Sequence, residues 1–220
     1  SSVTQDDEYV YFNLADGTMI TLPKHDKENI QFEDLQVKAI CCKNWDTNDD
    51  DELSYAEAAA VTDIGLAFRG NSNIIAFTEL EYFISLTTIN ANAFNGCTSL
   101  WKITIPDSVT SIGDYAFVGC DLLTSVTIGN GVTTIGGYAF YGCDSLTRVH
   151  ITDIAAWCNI SFGNSFSNPL SYAENLYLNN ELVTDLIIPD SVTSIGDCAF
   201  RGCSSLTSVT IPDSVTSIGI

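Results

Sequence analysis

A 23-residue unit written end to end constrains this chain more than any other feature. Residues 105–127 read IPDSVTSIGDYAFVGCDLLTSVT, and residues 128–150 read IGNGVTTIGGYAFYGCDSLTRVH. Phe117 recurs at Phe140, Cys120 at Cys143, Gly113 at Gly136 and Val126 at Val149. The unit returns over residues 188–210 and begins again over 211–220. Upstream, Ile89, Phe94, Cys97 and Ile103 stand one period before Ile112, Phe117, Cys120 and Val126. A fixed period of this length marks a solenoid. One unit cannot bury its apolar positions alone, so the units must stack.

Within a unit, Leu100, Ile103 and Ile105 end in alternation, which predicts a short strand with one buried face. Pro106 donates no ladder hydrogen bond and should end that strand. Asp107-Ser108, or Gly129-Asn130-Gly131 one unit on, supplies a turn. The VTSI segment, residues 109–112, predicts a second short strand. Gly113 and Gly136 mark a left-handed or a crowded backbone position. The Ala-Phe-x-Gly-Cys segment is too short for a full helix and reads as a turn or 3₁₀ piece. The fold class is therefore a mostly β solenoid: two parallel sheets of short strands around one elongated core. On the residues IPDSVTSIGDYAFVGC, their relatives and the LTSVTIP strand, the unit resembles the BspA-type leucine-rich repeats of bacterial surface proteins. The resemblance covers residues 89–220. A degenerate earlier copy starts near Ala67-Phe68-Arg69-Gly70.

The formal net charge is −20, with eight Lys and Arg. That excludes nucleic acid and anionic membrane surfaces as partners. No run of 18 apolar residues is present, so no transmembrane segment is expected. The opening SSVTQDDE reads as a processed or trimmed start. Of the eight cysteines, Cys97, Cys120, Cys143 and Cys203 share one repeat position. A column of like residues offers no preferred disulfide partner, so these read as small apolar filler.

Residues 1–63 read as a small α+β region, a hairpin followed by a helix-loop-helix, and residues 64–220 as the solenoid. The hairpin spans 9–23 and turns at Ala15-Asp16-Gly17. A polar connector containing His25 follows at 24–29. Residues 32–45 have helical spacing at Leu35, Val37, Ile40, Cys41 and Trp45, and residues 58–65 are helix-like. Between them lies DTNDDDELSYAE. With Asp46 as position one of a twelve-residue loop, Asn48 and Asp50 fall at three and five. Glu52 at seven offers its backbone carbonyl, and Glu57 closes the loop at twelve. This resembles the calcium loop of EF-hands and dockerins. The resemblance implies a single structural Ca²⁺ held by Asp46, Asn48, Asp50, Glu52 and Glu57. The departure is Asp51 at position six, where the loop wants Gly for a left-handed turn. The competing reading is an acidic solvated turn that caps the second helix.

Residues 64–88 read as the N-terminal cap rung. Residues 151–187 break the period: 37 residues separate Ile151 from Ile188, which is 23 plus 14. Asp153 should cap a short helix, and Leu176 to Val183 should turn back at Asn179-Asn180. The stretch reads as one irregular long rung with an insertion that either decorates a binding face or is a tolerated loop. Trp157 reads as a core anchor. The rung ending at Ile220 is uncapped, which leaves end-to-end association open.

No enzyme signature is present. The two histidines, His25 and His150, stand in no triad, and no phosphate loop or zinc spacing occurs. Surface recognition remains. Among outward strand positions that are mostly Thr and Ser, Trp101, Lys102, Arg148 and His150 stand out. They form a candidate ligand-binding surface, set against the reading that repeats drift where nothing binds. The resemblance implies a bacterial cell-surface or secreted module, adhesin-like, with a protein ligand such as host extracellular matrix fibronectin or fibrinogen. Two alternatives stand beside it. One is a calcium-stiffened structural spacer. The other is a carbohydrate-binding surface using Trp157, Tyr172 and Tyr177.

Overall fold

The computed structural model describes residues 2–5, 9–13, 19–23 and 29–220. The hairpin turn at Ala15-Asp16-Gly17, and His25 with most of its connector, lie outside the described residues. β1 (Ser2–Gln5), β2 (Tyr9–Asn13) and β3 (Met19–Pro23) form an antiparallel sheet.

α1 (Leu35–Trp45) starts at Asp34, whose Oδ1 accepts from the amides of Gln36 and Val37. Val37 and Cys41 are its buried residues, whereas Leu35, expected among the apolar positions, faces solvent. Leu35 is the first residue of the helix, before any turn has closed against the core. α2 (Tyr55–Ala60) starts at Ser54 with a reciprocal capping box to Glu57.

The solenoid then runs through β4 (Ala76–Phe77), a 3₁₀ turn at Glu79–Tyr82, β5 (Thr88–Ile89), β6 (Lys102–Thr104), β7 (Ser111–Ile112), β8 (Ser125–Thr127), β9 (Thr134–Ile135) and β10 (Arg148–Ile151). Strands β4, β6, β8 and β10 pair in parallel in one sheet, and β5, β7 and β9 in a second. The registers Lys102↔Ser125↔Arg148 and Ile112↔Ile135 advance by the sequence period. Between the sheets, Phe68, Phe94, Phe117 and Phe140 are fully buried and stack at 5.0–5.2 Å between centroids. Gly113 and Gly136 are crowded rather than left-handed. A Cβ on Gly113 would fall 2.4 Å from the Ala91 amide nitrogen, so the rungs can close only on glycine. The left-handed positions are the glycines of the Phe-x-Gly-Cys turns, Gly96, Gly119, Gly142 and Gly202.

The first rung is covered by α1. Trp45 packs on Phe68 and Phe83. The buried Asp34 carboxylate also takes the Ile75 amide through Oδ2. One side chain therefore caps the helix and satisfies a donor at the edge of the sheet.

Beyond β10 the irregular stretch has two parts. First, α3 (Ile154–Cys158), capped by Asp153, precedes β11 (Ser161–Phe162), which joins the second sheet on β9. Then α4 (Leu170–Ala173) leads to β12 (Leu176–Leu178), which joins the first sheet on β10. Both registers, Thr134↔Ser161 and Val149↔Leu176, advance by 27 residues, so α3 lengthens this rung by four. Second, Asn179 and Asn180, both at positive φ, turn the chain into β13 (Glu181–Leu182), antiparallel to β12. The strand position is then used again by β14 (Asp185–Ile187), which pairs with β16 (Ser208–Thr210). β15 (Ser194–Ile195) pairs with β17 (Ser217–Ile218). Both sheets are thus interrupted, but the core is continuous. Trp157, fully buried, donates from Nε1 to the Ala199 carbonyl at 2.9 Å. Asn168 Nδ2 reaches the Cys198 and Ala199 carbonyls, and the Gly196 amide reaches Cys158.

Candidate functional site

Alternation along each strand turns Ile103, Val126, Val149 and Leu176 inward and leaves their neighbours on the outer face. Lys102, Ser125 and Arg148 form one row across β6, β8 and β10, and Thr104, Thr127, His150 and Tyr177 form another. Lys102 and Arg148 are two strands apart, about 10 Å, on either side of a buried Ser125. Trp101, half-exposed, precedes Lys102 and stands beside the exposed Ile75, its amide bonded to the Ile75 carbonyl. The structure therefore puts Lys102, Arg148 and His150 on the outer face of one sheet, with the exposed Trp101 just before β6.

His150 is half-buried and stacks on Tyr177 at 4.9 Å. Burial lowers its pKa, and the charges of Arg148 and Lys102 push the same way, against a hydrogen bond with Asn180. Its enclosed Nδ1 has no partner among the described residues. The Thr and Ser column around this patch has a structural task. Thr124 Oγ1 donates to the Trp101 carbonyl and Thr147 Oγ1 to Thr124, as Thr110 does to Thr87 and Thr133 to Thr110 in the second sheet.

The acidic loop between α1 and α2 has a defined backbone. Asp49 and Asp51, positions four and six, are left-handed at φ 57° and 62°. Asp51 therefore makes the turn that glycine would, at a cost of about 1 kcal/mol. Asp46 accepts the amides of Asn48, Asp49 and Asp51, Asn48 that of Asp50, and Asp50 that of Glu52. Leu53 is buried, and its carbonyl accepts from Ile30. The Glu52 side chain pairs with Lys38 and leaves its own carbonyl to the loop. Both oxygens of Glu57 are engaged: Oε1 with the Thr47 amide and hydroxyl, Oε2 with those of Ser54. Burial acts to raise the Glu57 pKa, but these four bonds outweigh it and hold the carboxyl at about 2. The donor set is all oxygen and the backbone turns as a cation loop does. Among the described residues, however, no three His, Cys, Asp or Glu side chains converge as a metal site would require.

Of the aromatics named for carbohydrate, Trp157 is inside the core. Tyr172 is half-buried with an enclosed Oη, and Tyr177 lies against His150. A different aromatic group is exposed. Tyr115 and Tyr138 stack at 5.6 Å and 2°, and Tyr138 and Phe166 at 5.7 Å and 10°. Tyr141 stands edge-on to both Tyr138 and Phe166. Asn164 seats Phe166, its Oδ1 accepting from the Phe166 amide. The available signal was the recurrence of Tyr at one repeat position, Tyr115 and Tyr138.

Comparison with known proteins gives one family. The profile for the BspA type leucine rich repeat region matches six copies over residues 66–180 and 171–220. No curated protein matches the chain. Among solved structures, a leucine rich repeat protein of T. pallidum is 26% identical, with 61% of this chain and 63% of that one covered and a TM-score of 0.34. A leucine rich cell surface protein of Faecalibacterium prausnitzii is 24% identical, covering 99% of this chain and 45% of that one, with a TM-score of 0.37. A leucine-rich repeat protein of Bacteroides ovatus is 22% identical, covering 98% and 67%, with a TM-score of 0.31. The chain thus spans less than two thirds of the first two. Among the described residues, no helix is long and apolar enough to cross a membrane.

Proposed function

The chain belongs to the BspA type leucine-rich repeat family, and from that premise we propose that it is an extracellular protein-interaction module of a bacterial surface, adhesin-like, with a host matrix protein as ligand. The observation that carries this reading is the outer face of the first sheet. On it a two-cation row at Lys102 and Arg148 and the His150–Tyr177 stack interrupt a Thr and Ser lattice, and an exposed Trp101 stands just before β6. Large aromatics and Arg are the side chains that most often anchor a protein interface, and a rigid sheet spares the backbone's share of the ordering cost on binding. The test is binding of the whole chain to immobilised fibronectin and fibrinogen. Trp101→Ala/Arg148→Ala should weaken the interaction about 30-fold or more while leaving the melting temperature near the parent's. An undiminished interaction would place the ligand elsewhere, and no binding by the parent would leave the spacer reading in its place.

The acidic loop adds a structural Ca²⁺ to this proposal, held by Asp46, Asn48, Asp50, the Glu52 carbonyl and Glu57. Its support is the oxygen-only donor set and the two left-handed residues at loop positions four and six. To join the others, Glu57 must exchange its Thr47 and Ser54 bonds for the cation. Calorimetric titration with Ca²⁺, repeated on Asp46→Ala/Glu57→Gln, decides it: heat with a raised melting temperature that the variant loses, against no heat in either.

A further inference from the structure

We propose that the exposed ladder of Tyr115, Tyr138 and Phe166, with Tyr141 against it, is a docking site for a basic, extended segment of a partner protein. Three observations carry this. First, the rings are a contiguous outward group spanning successive turns, and each is between 38% and 50% exposed. Tyr138 is sandwiched between Tyr115 and Phe166, so the surface open to a ligand is its rim and the exposed parts of Tyr115, Phe166 and Tyr141.

Second, the backbone beneath the rings does not favour a ring. Tyr115 and Tyr138 both sit at φ 58°, a left-handed conformation that is unfavourable for a bulky side chain. One unit earlier the same position is Asn92, at φ 62°, which tolerates it. The rung therefore closes without an aromatic there, and two tyrosines are held in strain with their rings toward water.

Third, the surroundings select the occupant by charge. Between Lys102 and Arg148 the chain carries no Lys or Arg but four aspartates, Asp107, Asp114, Asp121 and Asp144; between Arg148 and Arg201 there is again no Lys or Arg. Asp114 is exposed beside the ladder, its Oδ1 bonded to the Gly137 amide. Asp144 is exposed three residues after Tyr141. Exposed rings beside the Asp114 carboxylate, on a chain of net charge −20, fit guanidinium and ammonium groups through cation–π contact and ion pairing, with Arg201, at Tyr141's repeat position, the cation that borders the Phe166 end. An extended segment lying along the ladder meets three rings in succession. This site is independent of the sheet face carrying Trp101 and Arg148.

The test is fluorescence anisotropy with a labelled (Arg-Ser)6 peptide, beside (Gln-Ser)6 and a mixed-polysaccharide affinity gel. The parent should bind (Arg-Ser)6 and not (Gln-Ser)6. Tyr115→Asn/Tyr138→Asn keeps the net charge and adopts the residue the earlier rung already holds, so it should fold. Its affinity should fall roughly tenfold. Tyr115→Phe/Tyr138→Phe keeps the rings and should bind as the parent does. Equal binding by the Asn variant would mean that diffuse negative charge attracts the peptide, and would overturn the proposal. So would equal binding of (Gln-Ser)6, or retardation by the polysaccharide gel without peptide binding.

Discussion

At the residue scale, the repeated cysteine has a role that its reading as small apolar filler missed. The Phe94 carbonyl accepts the Cys97 amide at 3.1 Å and also the Cys120 thiol at 3.3 Å; Phe117 is used in the same way by Cys120 and Cys143. The thiol thus ties one rung to the next through the second lone pair of a buried carbonyl. All eight cysteines are free. Burial pushes the Cys97 thiol up to about 12 and Cys158 to about 11, and also raises Cys41; a Cys143 hydrogen bond together with burial raises Cys120. The native protein should therefore expose only Cys42, Cys198 and Cys203 to Ellman's reagent. The buried thiols should react only after denaturation, and rapid modification of all eight would contradict this packing. Repeat glycines are equally constrained. A Cβ on Gly136 would lie 2.5 Å from the Asp114 amide nitrogen, so Gly136→Ala should lose about 2 kcal/mol in urea unfolding. The need for glycine there was visible in the recurrence, but its cause was not, because crowding comes from the neighbouring rung. The strained tyrosines of the ladder went unread for the same reason: a side chain's exposure depends on what stacks above and below it.

At the element scale, the loop before α2 rests on Glu57, and its pH dependence has a definite sign. The folded pKa, about 2, lies below the ordinary 4.5. The stability it contributes is complete above about 4.5 and is lost as pH falls toward 2. The melting temperature of Glu57→Gln should therefore fall less than the parent's across that window, and parallel curves would show that the four bonds contribute nothing. The second helix, expected over 58–65, runs instead from Tyr55 to Ala60, because Ser54 and Glu57 form a capping box that starts it three residues earlier. The helix α3 and the Asn179-Asn180 turn were legible, since Asp153 and a pair of asparagines carry their geometry locally. That β14 would reuse the strand position after β13, instead of continuing the sheet, was not legible. LYL, the strand after it and DLI are all strand-like, and only the packing of Trp157 and Asn168 on residues 198–199 decides which of them stack.

At the scale of the whole molecule, the period made the fold legible because the long-range contacts of a solenoid are contacts with the next copy. The Phe68–Phe94–Phe117–Phe140 stack is that period made physical. Phe117→Ala, in its middle, should destabilise the protein by about 3–5 kcal/mol, because both neighbouring rings lose a packed face. The outer face of the first sheet was legible as far as which side chains point outward, since alternation alone decides that. Its claim to be a binding surface is most directly tested by interferometry on immobilised fibronectin with three proteins side by side: the parent, Trp101→Ala/Arg148→Ala, and Tyr115→Asn/Tyr138→Asn. The parent should bind, the first variant should lose about 30-fold or more in affinity, and the ladder variant should bind as the parent does. Full binding by the first variant, or loss confined to the second, would contradict that claim.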